Sequence, residues 1–211
     1  MPLKPSNGRV IASLGRKGVE TRARLLNATR ELLQTTSPFH LTVSAIAKAA
    51  ATSPATLYVY FNDVEDVLYA LCVDASEAFD RFENERPEWF TDAGQLTQDC
   101  TQLVEAYNRI WEVNRHVLHY RNLEADRGNV RFWKLQLASA QPILDRLIPA
   151  IKQSKPQLND EQARADAIVL YCAMERLAGV RHWVPEGRTG PPVEELDRAQ
   201  VRILAQHLTP D

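Results

Sequence analysis

The sequence of 211 residues lacks the features of membrane and secreted proteins. No apolar run approaches the roughly 20 residues that a membrane-spanning helix needs. Residues 1–18 contain no apolar segment of the kind found in a secretory signal. The three cysteines (Cys72, Cys100 and Cys172) are far apart and form no Cys-x-x-Cys pair, which favours reduced thiols over a disulfide framework. These absences predict a cytoplasmic protein with no membrane partner.

Motifs of catalysis and cofactor binding are also missing. The sequence has no Ser/His/Asp order, nucleophile elbow, phosphate-binding loop or paired-carboxylate motif. His116 and His119 have a helical spacing that suits a metal ion, but no third ligand lies near them in the sequence. We therefore predict a protein that is not an enzyme, with no cofactor and no metal site.

No stretch alternates between apolar and polar residues for long enough to predict a strand. Apolar residues instead recur with the 3.6-residue period of helices, and Pro, Gly and short polar runs separate the segments. The sequence thus predicts an all-α protein of about nine helices, at about 18–35, 42–51, 54–61, 63–85, 93–113, 115–126, 130–151, 161–183 and 192–208.

Charge is distributed unevenly along the chain. Residues 1–62 hold eight Lys or Arg and two acidic residues, a net charge of +6. The remaining residues hold 17 basic and 25 acidic side chains, a net charge of −8. A basic head on an acidic body is expected of a nucleic-acid-binding protein, although surface charge also varies without any function.

Two short helices joined by a tight turn are predicted within residues 42–61. Thr42 and Ser53 are suitable N-caps, and Pro54 is acceptable in the first turn of a helix. The size is that of a helix-turn-helix, whose second helix enters the DNA major groove. Spacing alone does not separate this motif from an ordinary helical hairpin in a bundle.

The residues of this region carry a family resemblance. Thr42-Val43-Ser44-Ala45-Ile46-Ala47-Lys48-Ala49-Ala50, then Ser53, Thr56-Leu57-Tyr58, Tyr60-Phe61 and Glu65-Asp66-Val67-Leu68 closely resemble the DNA-binding domain of the TetR family. Thr21-Arg22 to Ala28 and Leu32-Leu33 look like the first helix of that domain. The resemblance covers about residues 20–70. It implies a DNA-binding domain within residues 1–66, followed by a helical effector-binding and dimerisation domain in residues 67–211.

The resemblance also implies roles for single residues. Thr42 and Ser44 would meet phosphate, Pro54 to Thr56 would face bases, and Leu57, Phe61 and Ile46 would form the core of the motif. The residues expected to contact DNA are Lys17, Thr42, Val43, Ser44, Ser53, Pro54, Ala55, Thr56, Tyr58 and Tyr60.

Four positions depart from the usual family pattern. The family often has Gly where Ala51 stands, and because a left-handed Ala costs about 1 kcal/mol, we expect a differently built turn. Pro54, Val59 and Val64 replace commonly polar or basic residues. These changes predict a greater role for a basic N-terminal arm, whose candidate residues are Lys4, Arg9, Arg16 and Lys17.

Aromatic residues are frequent in the middle helices of the body. They either line an apolar effector pocket or simply fill the core. The residues predicted to bind an effector are Tyr107, Trp111, His116, Tyr120, Trp133, Tyr171 and Glu175. In the family the last two helices pack against their copies in a dimer, which predicts an interface formed by Ile168, Cys172, Leu196, Ile203 and Leu204.

These observations predict a ligand-responsive regulator, a repressor, that binds palindromic double-stranded operator DNA as a homodimer and is released by a small, largely apolar effector. Two alternatives belong to other classes. One is a helical small-molecule-binding or enzymatic protein with an incidental basic N-terminus. The other is an architectural DNA binder without an effector, which would bind DNA regardless of sequence.

Overall fold

The computed structural model describes residues 15–85, 89–90, 92–181 and 190–210. Within these ranges the chain forms eight α-helices and no strand. The helices are α1 (Arg16–Leu32), α2 (Val43–Ala49), α3 (Pro54–Tyr60), α4 (Val64–Glu85), α5 (Leu96–Asp126), α6 (Val130–Ser154), α7 (Asp160–Val180) and α8 (Val193–Leu208). Short 3₁₀ helices cover Pro38–His40 and Ala93–Gln95. The predicted all-α class is confirmed.

The helix count differs from the prediction because α5 is continuous. Two helices were expected, at 93–113 and 115–126, whereas a single helix covers Leu96–Asp126. Residues 113–115 include no Gly or Pro that would stop it. Asn114 does not interrupt the helix, because its side-chain amide donates a hydrogen bond to the Ile110 carbonyl one turn earlier, at 2.9 Å.

The chain divides into two compact units. The first contains the described residues up to Ser76 together with His116–Gln136, and the second contains Glu77–Arg115 and the described residues from Leu137 onward. Helices α4, α5 and α6 therefore each contribute to both units. The boundary expected at residue 66 concerns the DNA-binding function and stays a prediction.

The first unit has a core that joins distant parts of the sequence. Tyr120 of α5 and Tyr69 of α4 both meet the Phe132 ring edge-on, each with a centroid distance of 5.4 Å. Buried aliphatic residues of α1 to α4 complete this core, namely Leu25, Leu26, Leu33, Leu41, Ile46, Leu57, Val67, Leu68 and Leu71. The helix-turn-helix segment is thus packed on residues from α5 and α6.

The second unit encloses its own aromatic core. Phe79 and Tyr107 lie 5.4 Å apart between ring centroids, and the Tyr171 ring stands edge-on to Tyr107 at 6.1 Å. Helix α7 begins with a capping box in which Asn159 and Gln162 each accept a backbone hydrogen bond from the other, both at 2.9 Å. None of the helices in the described ranges is both long and apolar enough to span a membrane.

Candidate nucleic-acid interface and helical body

Side-chain caps start both helices of the motif, as predicted. The Thr42 hydroxyl accepts a hydrogen bond from the Ala45 amide at 3.1 Å. The Ser53 hydroxyl accepts one from the Thr56 amide at 3.2 Å, and Pro54 occupies the first turn of α3. Because the Thr42 hydroxyl acts as an acceptor in its cap, its own proton can be donated outward, as a phosphate contact requires. The Ser53 hydroxyl shares a further hydrogen bond of 2.9 Å with the Thr56 hydroxyl.

The turn between α2 and α3 is built on a left-handed alanine. Ala51 has a φ of +50°. The Ala51 amide donates to the Lys48 carbonyl at 3.1 Å, and the Thr52 amide donates to the Ala47 carbonyl at 2.9 Å. These two bonds form a Schellman motif, which normally places Gly at this position. The expectation of a differently built turn was wrong, because the two hydrogen bonds hold Ala51 in the strained conformation.

Replacing Ala51 with glycine is therefore expected to stabilise the protein by about 1 kcal/mol, because Gly has no Cβ to strain the left-handed conformation. The midpoint of thermal unfolding should rise by about 2–4 °C. The matched control is Ala23→Gly, at an exposed position inside α1 of the same unit. That change should lower stability by about 1 kcal/mol. Equal destabilisation by both substitutions would contradict the strain argument.

Helix α3, the candidate recognition helix, is anchored by its apolar side. Leu57 is fully buried and Phe61 nearly so, and Ile46 of α2 is buried with them. The predicted core of the motif is thus confirmed. The guanidinium of Arg22 lies over the Phe61 ring at 5.3 Å, and burial lowers the pKa of Arg22. Arg22 therefore packs α1 against the end of α3.

The opposite side of α3 faces outward. Ser53, Pro54 and Ala55 are exposed at its start, and Tyr58 is 59% exposed on the next turn. Thr56 and Tyr60, like Val43 of α2, are partly exposed. Thr42, Ser44 and Lys17 are exposed on the neighbouring helices. Each residue expected to contact DNA thus has at least part of its surface accessible.

The basic residues of the first unit have different surroundings. Arg30 of α1 forms an ion pair with Asp74 of α4 at 2.6 Å, so it joins two helices. Arg16 pairs with Glu20 along α1 at 3.5 Å. Lys17 and Lys48 are exposed. Lys4 and Arg9, expected in the N-terminal arm, lie outside the described residues.

A polar junction connects the start of α4 to the start of α6 within the first unit. The buried Asp66 carboxylate accepts hydrogen bonds from the Asn62 backbone and side-chain amides, at 3.1 and 2.5 Å. Arg131 pairs with the same carboxylate at 2.7 Å, and its guanidinium lies 3.7 Å from the centre of the Tyr69 ring. The Asp66 amide donates a capping hydrogen bond to the Asp63 carboxylate at 2.8 Å.

The importance of Arg131 was missed by the sequence reasoning. A signal was available, because a cation in the first turn of a helix opposes the helix dipole and suggests a partner elsewhere. Arg131 is the second residue of α6. Its partner, however, is 65 residues away in the sequence, and only the fold shows that the two meet.

Four of the predicted effector residues belong to the second unit. Tyr107, Trp111 and Tyr171 are buried, and the Tyr171 hydroxyl donates to the Glu175 carboxylate at 3.4 Å. Burial, followed by the proximity of Tyr171 and Glu175, raises the pKa of Tyr107 well above its usual value. Tyr107 and Tyr171 are in ring contact, and both lie close to Glu175. The arrangement is an apolar aromatic group with one carboxylate beside it.

The other three predicted effector residues belong to the first unit. Tyr120 is a core residue, and burial is the main cause of its raised pKa. His116 is partly exposed, and Trp133 is 48% exposed on α6. Four of the seven residues thus belong to the second unit and three to the first. Among the described residues, no three or more His, Cys, Asp or Glu side chains group as metal ligands would.

Several apolar side chains of α7 and α8 are exposed, and we refer to them together as the apolar strip. Ile168 and Val169 of α7 are 43% and 68% exposed, and Ile203 of α8 is 58% exposed. Cys172 of α7 is exposed and Leu196 of α8 partly so. Leu204 was predicted to lie in the dimer interface, but it is only 1% exposed and packs inside its own chain. Its side chain therefore offers no surface to a partner.

The chain was compared with known proteins by sequence and by fold. Residues 25–71 match the family model TetR_N, described as bacterial regulatory proteins of the tetR family. No curated protein matches the chain in sequence. Among solved structures, the fatty acid degradation regulator FadR from Bacillus halodurans is 16% identical, with a TM-score of 0.67 over 92% of this chain and 96% of that one.

Two further solved structures show the same fold. A putative TetR-family transcriptional regulator from Rhodococcus sp. is 16% identical, with a TM-score of 0.66 over 90% of this chain and 100% of that one. FadR from Bacillus subtilis, solved in complex with stearoyl-CoA, is 14% identical, with a TM-score of 0.64 over 88% of this chain and 98% of that one. Identities this low establish the fold alone.

The family match lies over the two short helices α2 and α3 and their neighbours, and the whole described chain shares its fold with the solved structures. The chain carries the N-terminal domain of the tetR family of bacterial regulatory proteins and has the fold of TetR-family transcriptional regulators.

Proposed function

We propose that the protein is a cytoplasmic, ligand-responsive repressor that binds a palindromic operator as a homodimer and is released by a small, largely apolar effector. No catalytic step is part of this function. The observation that carries the proposal is a capped recognition helix with an exposed outer side, in a domain that matches TetR_N.

DNA binding is supported by the division of roles within α1 to α3. Leu57 and Phe61 hold the recognition helix on its domain, which leaves Pro54, Ala55 and Tyr58 exposed for the major groove. The exposed hydroxyls of Thr42 and Ser53 and the exposed ammonium of Lys17 would contact the DNA backbone, to which about half or more of the hydrogen bonds in protein–DNA complexes are made. The net charge of +6 over residues 1–62 suits the phosphates.

Dimerisation is supported by the apolar strip of α7 and α8. Ile168, Val169 and Ile203 are large apolar side chains that would gain from burial at about 25 cal/mol per Å². A two-fold axis would pair each strip with its copy and present two recognition helices to half-sites about one DNA turn apart. Cys172 and Leu196 border this proposed interface.

The effector site is proposed around Tyr107, Trp111, Tyr171 and Glu175 of the second unit, with His116, Tyr120 and Trp133 as further candidates. Buried rings favour an apolar ligand, and the Glu175 carboxylate would select a hydroxyl or amine donor on it. A long-chain acyl thioester is a reasonable first probe, because the Bacillus subtilis neighbour was solved with stearoyl-CoA.

Release of DNA requires that the effector distinguish two conformations. It can shift the equilibrium only by the ratio of its affinities for the operator-binding form and the released form. Helices α4, α5 and α6 each run from one compact unit into the other, so a change in the second unit has covalent routes to the first. We propose that these helices transmit the effector signal.

The test is binding of the purified protein to the intergenic DNA upstream of its own gene, across a salt series and against scrambled DNA. We expect preference for the natural fragment and a steep loss of affinity as salt rises. Tyr58→Ala should lower the preference for the natural fragment, whereas Gln34→Ala, at an exposed position after α1, should not.

The outcomes separate the three functions considered. Equal binding of both DNAs would indicate an architectural binder, and no salt-sensitive binding to any fragment from a genome-wide selection would reject the regulator. Release of specifically bound DNA by one member of a metabolite panel, with acyl-CoA included, would identify the effector.

A further inference from the structure

The turn between α2 and α3, together with α3 itself, is a run of residues without charged or amide side chains. From Ala49 to Phe61 the sequence reads Ala-Ala-Ala-Thr-Ser-Pro-Ala-Thr-Leu-Tyr-Val-Tyr-Phe, with no Arg, Lys, His, Asn, Gln, Asp or Glu. The run covers the turn and all of α3. Its polar atoms are limited to the backbone and to hydroxyl groups.

Much of this run is apolar surface that faces outward. Val59 is 61% exposed and Tyr58 is 59% exposed, and Pro54 and Ala55 are exposed as well. These residues are not needed in the core of the motif, which Leu57 and Phe61 already fill. Helix α3 therefore presents methyl, methylene and ring surface where a partner would contact it.

The hydroxyls at the start of α3 are partly committed within the chain. Ser53 and Thr56 share a hydrogen bond of 2.9 Å between their hydroxyl oxygens, and Ser53 also accepts from the Thr56 amide at 3.2 Å. One hydroxyl proton of this pair is used inside the motif. The capacity of α3 to read bases by hydrogen bonds is small.

One chemical feature of the DNA major groove is complementary to the apolar surface of α3. Guanine is read best by Arg or Lys and adenine by Asn or Gln, through paired hydrogen bonds that α3 has no side chains to make. Cytosine presents an amino group that Glu or Asp would accept. Thymine alone presents an apolar group, its C5-methyl, which apolar side chains contact.

We propose that α3 identifies its operator mainly through the C5-methyl groups of thymine, contacted by Pro54, Ala55, Val59 and the ring of Tyr58. The inference rests on the proposed function and specifies the ligand: duplex DNA whose half-sites present thymine methyls in the major groove. Phosphate contacts from basic residues such as Lys17 and Lys48 supply affinity without regard to sequence.

The test replaces thymine with deoxyuridine inside the half-sites of the operator selected above. This change removes the methyl groups and keeps the hydrogen-bonding groups of the A·T pair. We expect affinity to fall about four-fold for each contacted methyl, the equivalent of one buried methylene. The salt dependence should stay the same, because the phosphates are untouched. The same number of deoxyuridines placed outside the half-sites is the matched control.

Protein variants assign the contact to α3. Val59→Ala removes exposed apolar surface and keeps a good helix former, so the fold should be retained. The variant should bind the thymine operator more weakly and lose part of its sensitivity to deoxyuridine. A thymine-to-cytosine change in one half-site should weaken binding, and 5-methylcytosine at that position should partly restore it.

The possible results separate this inference from the proposed function. Specific binding that is indifferent to deoxyuridine in the half-sites would overturn methyl recognition and leave the regulator intact. Equal loss from deoxyuridine inside and outside the half-sites would also overturn it, since the effect would then come from DNA shape. Failure to bind any DNA specifically would reject the regulator itself.

Discussion

Replacing Ile203 with glutamate is expected to convert the protein to monomers and to lower operator affinity by about 100-fold. Ile203 is 58% exposed and belongs to the apolar strip with Ile168 and Val169. In a dimer built on this strip, the new carboxylate would be moved from water into an apolar contact. Burial of an unpaired charge costs several kcal/mol, which the interface cannot offset.

The measurement is the molar mass in solution by sedimentation equilibrium, combined with operator binding. Val113→Glu is the matched control, because Val113 is 80% exposed on α5 and the substitution is chemically the same. Circular dichroism should show that both variants keep their helices, since surface substitutions usually change stability by less than about 0.5 kcal/mol. A dimeric Ile203→Glu variant with normal operator binding would place the interface elsewhere.

Replacing Arg131 with methionine is expected to reduce the free energy of unfolding by about 2–4 kcal/mol. The change leaves the Asp66 carboxylate, only 6% exposed, without its cation. The two amides of Asn62 still donate hydrogen bonds to the Asp66 carboxylate in this variant. The expected loss of unfolding free energy is therefore smaller than for a buried carboxylate with no partner. The stacking of the guanidinium on Tyr69 is lost as well.

Urea unfolding checks this expectation, with Arg109→Met as the control. Arg109 and Glu105 form an exposed pair at 4.0 Å on α5, and such pairs contribute less than about 1 kcal/mol. The double variant Arg131→Met with Asp66→Asn should recover part of the loss, because no buried charge is left unpaired. An equally small effect of Arg131→Met and Arg109→Met would show that the junction is unimportant for stability.

Local features of the first unit could be read from the sequence with good accuracy. Thr42, Ser53 and Asp63 cap their helices because capping depends on residues two or three positions away. The buried positions Ile46, Leu57 and Phe61 were implied by the family resemblance of the same short segment. These are contacts that the sequence pattern itself contains.

Features that depend on distant residues could not be predicted in the same way. The turn at Ala51 also escaped prediction although its hydrogen bonds are local, because the bonds to the Lys48 and Ala47 carbonyls outweigh the preference of alanine against a left-handed conformation. The break expected in α5 rested on local signals alone, and the helix continues through Asn114. Leu204 and Ile203 are neighbours of similar chemistry, and only the tertiary structure shows that one is buried and the other exposed.

The aromatic residues illustrate the same limit in the body. Their number predicted an aromatic interior, but the sequence did not reveal which of them meet. Tyr107 and Tyr171 are 64 positions apart and in ring contact, whereas Trp133 is half exposed. An effector site can be assigned only when it is known which aromatic side chains are in contact. Periodicity within a single helix does not predict contacts between helices.

The core of the first unit limits how freely its DNA-binding part can be exchanged with other regulators. Residues 16–76 share that core with Tyr120, Phe132 and Leu135, which come from much later in the chain. A chimera that joined the helix-turn-helix to a foreign effector domain at residue 66 would lose these partners together with Arg131. The boundary predicted at residue 66 therefore differs from the boundary of the first compact unit, and we expect that a stable chimera would also need the segment His116–Gln136.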